Sequence, residues 1–326
     1  MHKKKLLVIS TGGTILMLEN SKAGVKPYEN GLGLLKDPFD MVESEVETIS
    51  LFNIPSPHIT EQHMLEVADV IVKNQEKYDG FVVLHGTDTV EESSYFIDLL
   101  LAIQKPVVFT MAMRSQSDLA YDGMRNVQNS LRVCESEESW NRKVMLCVAD
   151  KLYCSHEVTK QSTYGSDAFT ALEKGILGYV DHDKVIFYRE NTKASKPIKP
   201  KKQLNQVYII KLYAGCDSLL IDTCISNNIS GIVIEAFGKG NLPENITDSI
   251  KKAIAIGMVV VITSRVDQGR VSPLYGYEGG GKMLEGIGCI LAEDLSSEKA
   301  RIKLSLLLSS VKKLTPKIIS NSLKNG

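Results

Sequence analysis

Residues 6–15, LLVISTGGTI, constrain the fold of this chain more than any other stretch. Four large apolar residues lead without a break into Ser10, Thr11, two glycines and Thr14. An apolar run this short, bounded by glycine, reads as a buried parallel strand. The glycines allow a sharp turn and let the backbone come close to a ligand. Thr14 is then expected at the carboxyl end of the first strand, the edge at which open α/β sheets bind their ligands. The expectation is a hydroxyl nucleophile there, with the other functional stretches gathered around the same edge.

The rest of the chain supplies the sheet. Residues 80–84 and 106–110 are short apolar runs, each followed by a polar loop, and residues 144–149 form a third. Between them, residues 60–77 carry Met64, Val67, Ala68, Ile71 and Val72 at helical spacing behind a capping Thr60. A second helix follows residue 89 with Tyr95, Phe96, Leu99, Leu100 and Ile103 inward, and a third covers residues 123–134. Strands alternating with helices imply βαβ units and a parallel sheet. Residues 16–39 hold five glycines and prolines and read as a loop able to close over a site. Pro55 and Pro57 rule out a helix or a central strand around them. Residues 151–178 break the rhythm and suggest hairpin or loop.

The chain's 326 residues suggest two domains. A lysine-rich, proline-bearing stretch at 191–206 reads as the linker between an N-terminal domain (1–190) and a smaller C-terminal α/β domain (207–326). In the latter, residues 207–212, 231–235, 258–263 and 288–291 read as strands, with helices at 243–256 and 301–311. The fold class is therefore α/β, with a larger, mostly parallel N-terminal sheet flanked by helices.

A net charge of −1 gives no field that would favour nucleic acid or an anionic membrane. The lysines at 3–5 followed by LLVI imitate a signal peptide, but the apolar run is shorter than the about 7–15 residues of a signal core. No run approaches the length of a membrane span, so a cytoplasmic protein is expected. Cys134, Cys147, Cys154, Cys216, Cys224 and Cys289 lie far apart without a CxxC pair, which favours buried free thiols over a metal or disulfide framework.

Two loops at strand ends present threonine beside glycine: TGGTI at 11–15 and HGTDT at 85–89. A threonine hydroxyl needs a base to become a nucleophile. Attack on an acyl group also needs amide donors for the developing oxyanion, and glycine-rich turns expose them. Asp88 and Lys160 are the candidate partners; a lysine acts as base once desolvation lowers its pKa. Each motif also has a plainer reading. TGGT alone is a tight turn, HGTDT alone a helix cap, and His85 a structural loop residue. The glycines at 238–240 are not a dinucleotide fingerprint, because Pro243 interrupts them, and Gly279–Gly281 reads as a turn.

Together the motifs resemble the bacterial-type L-asparaginases, in particular their cytoplasmic (type I) branch. The resemblance is carried by STGGTI (10–15), GFVVLHGTDTVEES (80–93), AMRS (112–115), DGMRN (122–126), VTK (158–160), IEAFGKGN (234–241), SPLYGYEGGGK (272–282) and KARIKL (299–304). It implies a hydrolase that converts L-asparagine to L-aspartate and ammonia through a threonine acyl-enzyme, with no metal or organic cofactor. By residue it implies Thr14 as nucleophile and Thr87, Asp88 and Lys160 as the activating set. Asp88 would also hold the substrate's α-ammonium and Ser56 its α-carboxylate, while Asn241 would reach a neighbouring subunit's site. The family forms homodimers or homotetramers.

Some positions depart from the family's pattern. Val25 stands where relatives carry a loop tyrosine, so Tyr28 is the candidate to hydrogen-bond the nucleophile. Pro55 and Pro57 flank Ser56 and donate no backbone hydrogen bond. Alternatives are an asparaginase with substantial glutaminase activity, an inactive asparagine-binding relative, and the amidase subunit of a tRNA-dependent amidotransferase. The last is disfavoured by the start of TGGT at residue 11, since such subunits carry an additional N-terminal domain.

Overall fold

The computed structural model describes residues 3–20, 24–29, 31–190, 196–201, 203–311 and 314–324. The chain divides into two compact units, Met1–Pro197 and Ile198–Gly326. The expected linker at 191–206 falls partly outside the described residues, at 191–195 and 202.

In the first unit, β1 (Lys5–Gly12) is buried from Leu6 onward. After it come β2 (Met17–Asn20) and β3 (Gly24–Pro27), which pair antiparallel. The stretch expected to be a loop is thus in part a hairpin. A short helix α1 (Lys36–Asp40) leads to β4 (Glu45–Ile54), α2 (Glu61–Asn74), β5 (Gly80–Leu84), α3 (Val90–Leu100), β6 (Val107–Thr110), α4 (Gly123–Glu135) and β7 (Val144–Val148). Five of these strands lie parallel in the order β4–β1–β5–β6–β7.

The sheet then continues antiparallel through β8 (Lys151–Cys154). Beyond a small separate hairpin of β9 (Thr159–Lys160) and β10 (Phe169–Thr170) come β11 (Gly178–Asp181) and β12 (Lys184–Phe187). Ala149 and Asp150, at φ 50° and 64°, form the two-residue turn between β7 and β8, whose backbone twist suits a tight hairpin.

Register decides where the site can be. Ser10 of β1 pairs with Leu84 of β5, and Leu84 with Thr110 of β6, so these strands end at one level. Thr11 Oγ1 donates to the Leu84 carbonyl at 2.9 Å and fastens that edge. Helix α4 packs Val127, Leu131 and Cys134 against Leu6, Val8, Val82 and Leu84. Alternate residues of β1 therefore face this helix, as a period of two requires.

Helix α2 starts where expected. Thr60 accepts from the His63 N–H, and His63 Nδ1 accepts from the Thr60 N–H, closing a reciprocal cap. Val72, expected inward, is 46% exposed. It follows Ile71 by one residue and so turns about 100° off the buried stripe.

The second unit holds a parallel sheet of β13 (Val207–Lys211), β14 (Gly231–Ala236), β15 (Val259–Ser264) and β16 (Ile290–Leu291). Helices α5 (Leu219–Ser226), α6 (Thr247–Ala255), α7 (Gly281–Gly286), α8 (Ser297–Leu308) and α9 (Pro316–Lys324) accompany it. Its core is built by Ile210, Ile232, Ile234, Val260, Ile262 and Leu291 with residues of α5 and α6. The expected helix at 243–256 is a single turn of 3-10 helix, Glu244–Ile246, followed by α6. The helix expected at 301–311 is α8, which begins four residues earlier because Ser296 caps the Lys299 N–H, and α9 follows it.

Candidate active site

The end of β1 is shaped by its two glycines. Gly12 and Gly13 have φ of 106° and 87°, a region L side chains rarely adopt. A Cβ on Gly12 would lie 2.4 Å from the Ile54 carbonyl oxygen, and one on Gly13 would lie 2.4 Å from Cα of Gly86. The turn of β1 is therefore wedged against the loop that leaves β5. Thr14, half-buried, opens a single 3-10 turn, Thr14–Leu16, one residue past this contact. Thr87 lies one residue past it on the other side.

Thr87 and Asp88 are met there by Lys160. Its ammonium group donates to Thr87 Oγ1 at 2.9 Å and to Asp88 Oδ1 at 2.6 Å, and its side chain is 16% exposed. Asp88 is open, with 57% of its side chain exposed, and Oδ1 is the oxygen that Lys160 holds. Ser56 is buried against Gly86, where a Cβ would fall 2.6 Å from its Oγ. Ser56 Oγ accepts the Asp88 N–H at 3.2 Å, and the Ser56 carbonyl accepts Thr89 Oγ1 at 2.8 Å. Four of the expected site residues, Ser56, Thr87, Asp88 and Lys160, thus form one hydrogen-bonded group, and the Thr14 turn abuts it through Gly13.

Lys160 is delivered by β9 and held by a residue that the motif reading passes over. Glu91, in the first turn of α3, accepts the Lys160 N–H through Oε2 at 3.1 Å. In sequence, VEES after HGTDT looks like ordinary first-turn acid at a helix N-terminus; its second use across 69 residues has no local signal. The turn before Lys160 is tied by Cys154 Sγ to His156 Nδ1 at 2.7 Å and by His156 Nε2 to Glu157 at 3.2 Å. Burial opposes the Glu157 charge, but His156 and Arg189 overcome this and hold its carboxyl down at about 2. Cys154, His156 and Glu157 come within reach of one metal ion. Arg189 pairs with both carboxylate oxygens that a cation would need, so the cluster acts as a closed brace.

The backbone of Tyr28 is tied to the Thr14 turn, its N–H donating to the Leu16 carbonyl at 3.2 Å, while the residue is 41% exposed. Asn241 belongs to the second unit, where its N–H donates to the Phe237 carbonyl and its Oδ1 is buried without a partner among the described residues. His85 is buried, and its Nδ1 lies 2.8 Å from the Gly86 carbonyl oxygen. Burial holds this imidazole neutral, down at about 4, as suits a structural loop residue. Two backbone amides of the glycine-rich turns are already committed. Gly13 N–H donates to Ile54, and Asp88 N–H donates to Ser56.

Comparison with known proteins identifies the family. The model of the asparaginase N-terminal domain matches residues 5–193, and that of the glutaminase/asparaginase C-terminal domain matches residues 206–320. An L-asparaginase from Bacillus licheniformis is 32% identical, over 95% of this chain and 97% of its own. A glutamyl-tRNA(Gln) amidotransferase subunit from Pyrococcus abyssi is 30% identical, over 95% of this chain and 73% of its own. The crystal structure of a probable cytoplasmic L-asparaginase from Campylobacter jejuni matches with a TM-score of 0.88 at 30% identity, covering 99% of this chain and all of that one. Matched in order by both of the family's domains, this chain belongs to the asparaginase family.

Proposed function

We propose that this chain hydrolyses the side-chain amide of L-asparagine to L-aspartate and ammonia, with Thr14 as nucleophile. The observation that carries the reading is the Lys160–Thr87–Asp88 group, set against the Thr14 turn by the Gly13–Gly86 contact. Thr14 Oγ attacks the carboxamide carbon. Its proton passes to the amide nitrogen, the C–N bond breaks, and ammonia leaves behind an aspartyl ester on Thr14. Water then attacks the ester carbon, and Thr14 recovers a proton as aspartate departs. Thr87 accepts a hydrogen bond from Lys160 and so keeps its own O–H free to point at the attacking water or hydroxyl. Thr87, Asp88 and Lys160 together form the set that activates the water or the nucleophile, with Lys160 joining Thr87 to Asp88.

Substrate binding follows from the same contacts. The oxygen of Asp88 not used by Lys160 accepts the α-ammonium. Ser56 Oγ accepts from Asp88 N–H, which leaves its O–H to donate to the α-carboxylate. Pro55 and Pro57 add no backbone donors, so that carboxylate has fewer contacts than charge burial favours. Tyr28 serves as the tyrosine of the loop. The reading extends to a cytoplasmic homodimer or homotetramer in which Asn241 of one copy faces the site of another. The resemblance to a structure named as cytoplasmic supports the location. No described helix is long and apolar enough to cross a membrane.

A glutaminase reading is favoured to a lesser degree by the match to an amidotransferase subunit. One methylene changes pocket binding by only about 1–3 kcal/mol. Steady-state ammonia release measured against both amides tests the proposal. Asparagine is expected to turn over with the higher kcat/KM. Release of ammonia from neither amide would leave the proposal without support, and a preference for glutamine would replace it with the second reading.

A further inference from the structure

The turn that carries Thr14 has an unusual anchor. Of the five carbonyls from Gly13 to Met17, four accept backbone N–H groups: Gly13 from Leu16, Thr14 from Met17, Leu16 from Tyr28, and Met17 from Gln116. The fifth, that of Ile15, accepts a side chain, the hydroxyl of Tyr121 at 2.6 Å. Ile15 is fully buried, so its carbonyl has no water to turn to. Tyr121 comes from the polar loop between β6 and α4, 106 residues away in sequence.

That loop is built to hold the donor still. Asp122 accepts the N–H groups of Met113 and Arg114 through its two oxygens, at 3.1 and 3.0 Å. Asn126 donates both to Asp122 and to the Met111 carbonyl, and its own oxygen accepts the Ala149 N–H. Ser115 closes a turn onto Asp118 with its N–H and its hydroxyl. Gly123 leaves room for the ring, since a Cβ there would fall 2.1 Å from the Tyr121 hydroxyl. Burial pushes the Tyr121 hydroxyl well above its ordinary range, so it stays protonated and able to donate.

We infer that Tyr121 is a positioning residue for the nucleophile: through the Ile15 carbonyl it fixes the 3-10 turn that aims the Thr14 hydroxyl. The inference rests on the proposed role of Thr14. A hydrogen bond adjacent to the reacting residue governs the orientation of the attacking atom, and misplacement by about 1 Å costs on the order of 100-fold in rate. Substrate contacts made by Ser56 and Asp88 are untouched by it.

The test replaces Tyr121 by Phe, which keeps the ring and removes the hydroxyl. In the full-length protein, kcat for asparagine is expected to fall roughly 10- to 100-fold while KM stays within about twofold. Amide hydrogen exchange in a peptide covering residues 13–20 is expected to speed up, whether or not the protein turns over asparagine. Gly123→Ala, which displaces the ring by a different route, is expected to reproduce both effects, and it serves if the Phe variant fails to fold. Ser117→Ala removes the hydroxyl of the same loop that accepts the Glu19 N–H, farther along the chain, and is expected to leave kcat unchanged.

An unchanged kcat in Tyr121→Phe overturns the positioning role. So does an unchanged exchange rate in that peptide. A kcat loss of equal size in Ser117→Ala also overturns it, by showing that any loosening of the loop suffices. Should the wild-type protein release no ammonia from asparagine, the proposed function fails, and the exchange measurement still decides whether Tyr121 holds the turn.

Discussion

The two strand ends that meet at the candidate site are spelled alike, TGGT and HGTDT, yet they are held by different means. The end of β5 runs almost directly into α3 and is packed around: His85 and Thr87 are buried, Ser56 braces Asp88, and Lys160 clamps the threonine to the aspartate. The end of β1 has no helix of comparable length behind it. Thr14 starts a three-residue turn, and the β3 strand of the hairpin after it is exposed along its length. Its geometry depends on a wedge of two glycines and on hydrogen bonds from remote loops. One end is rigid because a helix succeeds it in sequence, the other because distant loops press on it in space. A nucleophile placed on the second kind of support is sensitive to changes far from the chemistry, while Thr87 and Asp88, at the start of a buried helix, are less so.

The largest expected effect separates the roles of the two threonines. Thr14→Ala and Thr87→Ala should each lower asparagine turnover by about 10⁴-fold or more, since groups that act as a unit fail together. Mass spectrometry of acid-quenched reactions should then distinguish them. Thr87→Ala can still collect an aspartyl adduct on the peptide containing residue 14, and Thr14→Ala cannot. An adduct on residue 87 in Thr14→Ala would reverse the assignment and with it the comparison.

The next effect concerns the wedge. Gly13→Ala combines a strained φ with an overlap at 2.4 Å against backbone, and is expected to destabilise the fold by about 3 kcal/mol or more. Gly24→Ala, in the exposed hairpin, has φ +70° but nothing within 4 Å of the new Cβ. It should cost only the strain of the left-handed region, about 1–2 kcal/mol. Urea denaturation of the two variants measures the difference. Equal losses would mean that the close approach of Gly13 to Gly86 contributes nothing beyond backbone conformation.

The same contrast explains how much of the molecule is legible in the sequence. Strands β5, β7, β14 and β15 are short apolar runs buried on both faces, and their expected limits fall within a residue or so of those observed. Strand β4 is hidden because it lies at the sheet's edge, where glutamates such as Glu45 and Glu47 are tolerated and the apolar signal is diluted. The β2–β3 hairpin escapes notice because β3 buries nothing and so carries no alternation. At the site, the motifs point to Thr14, Ser56, Thr87, Asp88 and Lys160. Glu91 and Tyr121 cannot be found that way: each acts by a hydrogen bond to the backbone of a distant residue, and such bonds depend on the fold and not on local pattern.

A smaller effect should appear with pH, and only at the β5 end. His85 is neutral when folded, with its proton affinity depressed by burial to about 4, against an ordinary value of 6.5. A neutral ring donates from Nδ1 to the Gly86 carbonyl, and its Nε2 is buried without a partner among the described residues. Below pH 6.5 the unfolded chain takes up a proton that the folded protein refuses, so folding stability falls as pH drops from 6.5 towards 4, and this contribution levels off below 4. At pH 5 the loss is about 2 kcal/mol. His85→Asn removes the titration, so between pH 7 and pH 5 the wild type should lose about 2 kcal/mol more than the variant in urea denaturation. Equal losses would show that His85 takes up its proton in place. In that case the loop after β5 is less tightly closed than its packing indicates, and the two strand ends differ less in rigidity than in the length of the helices behind them.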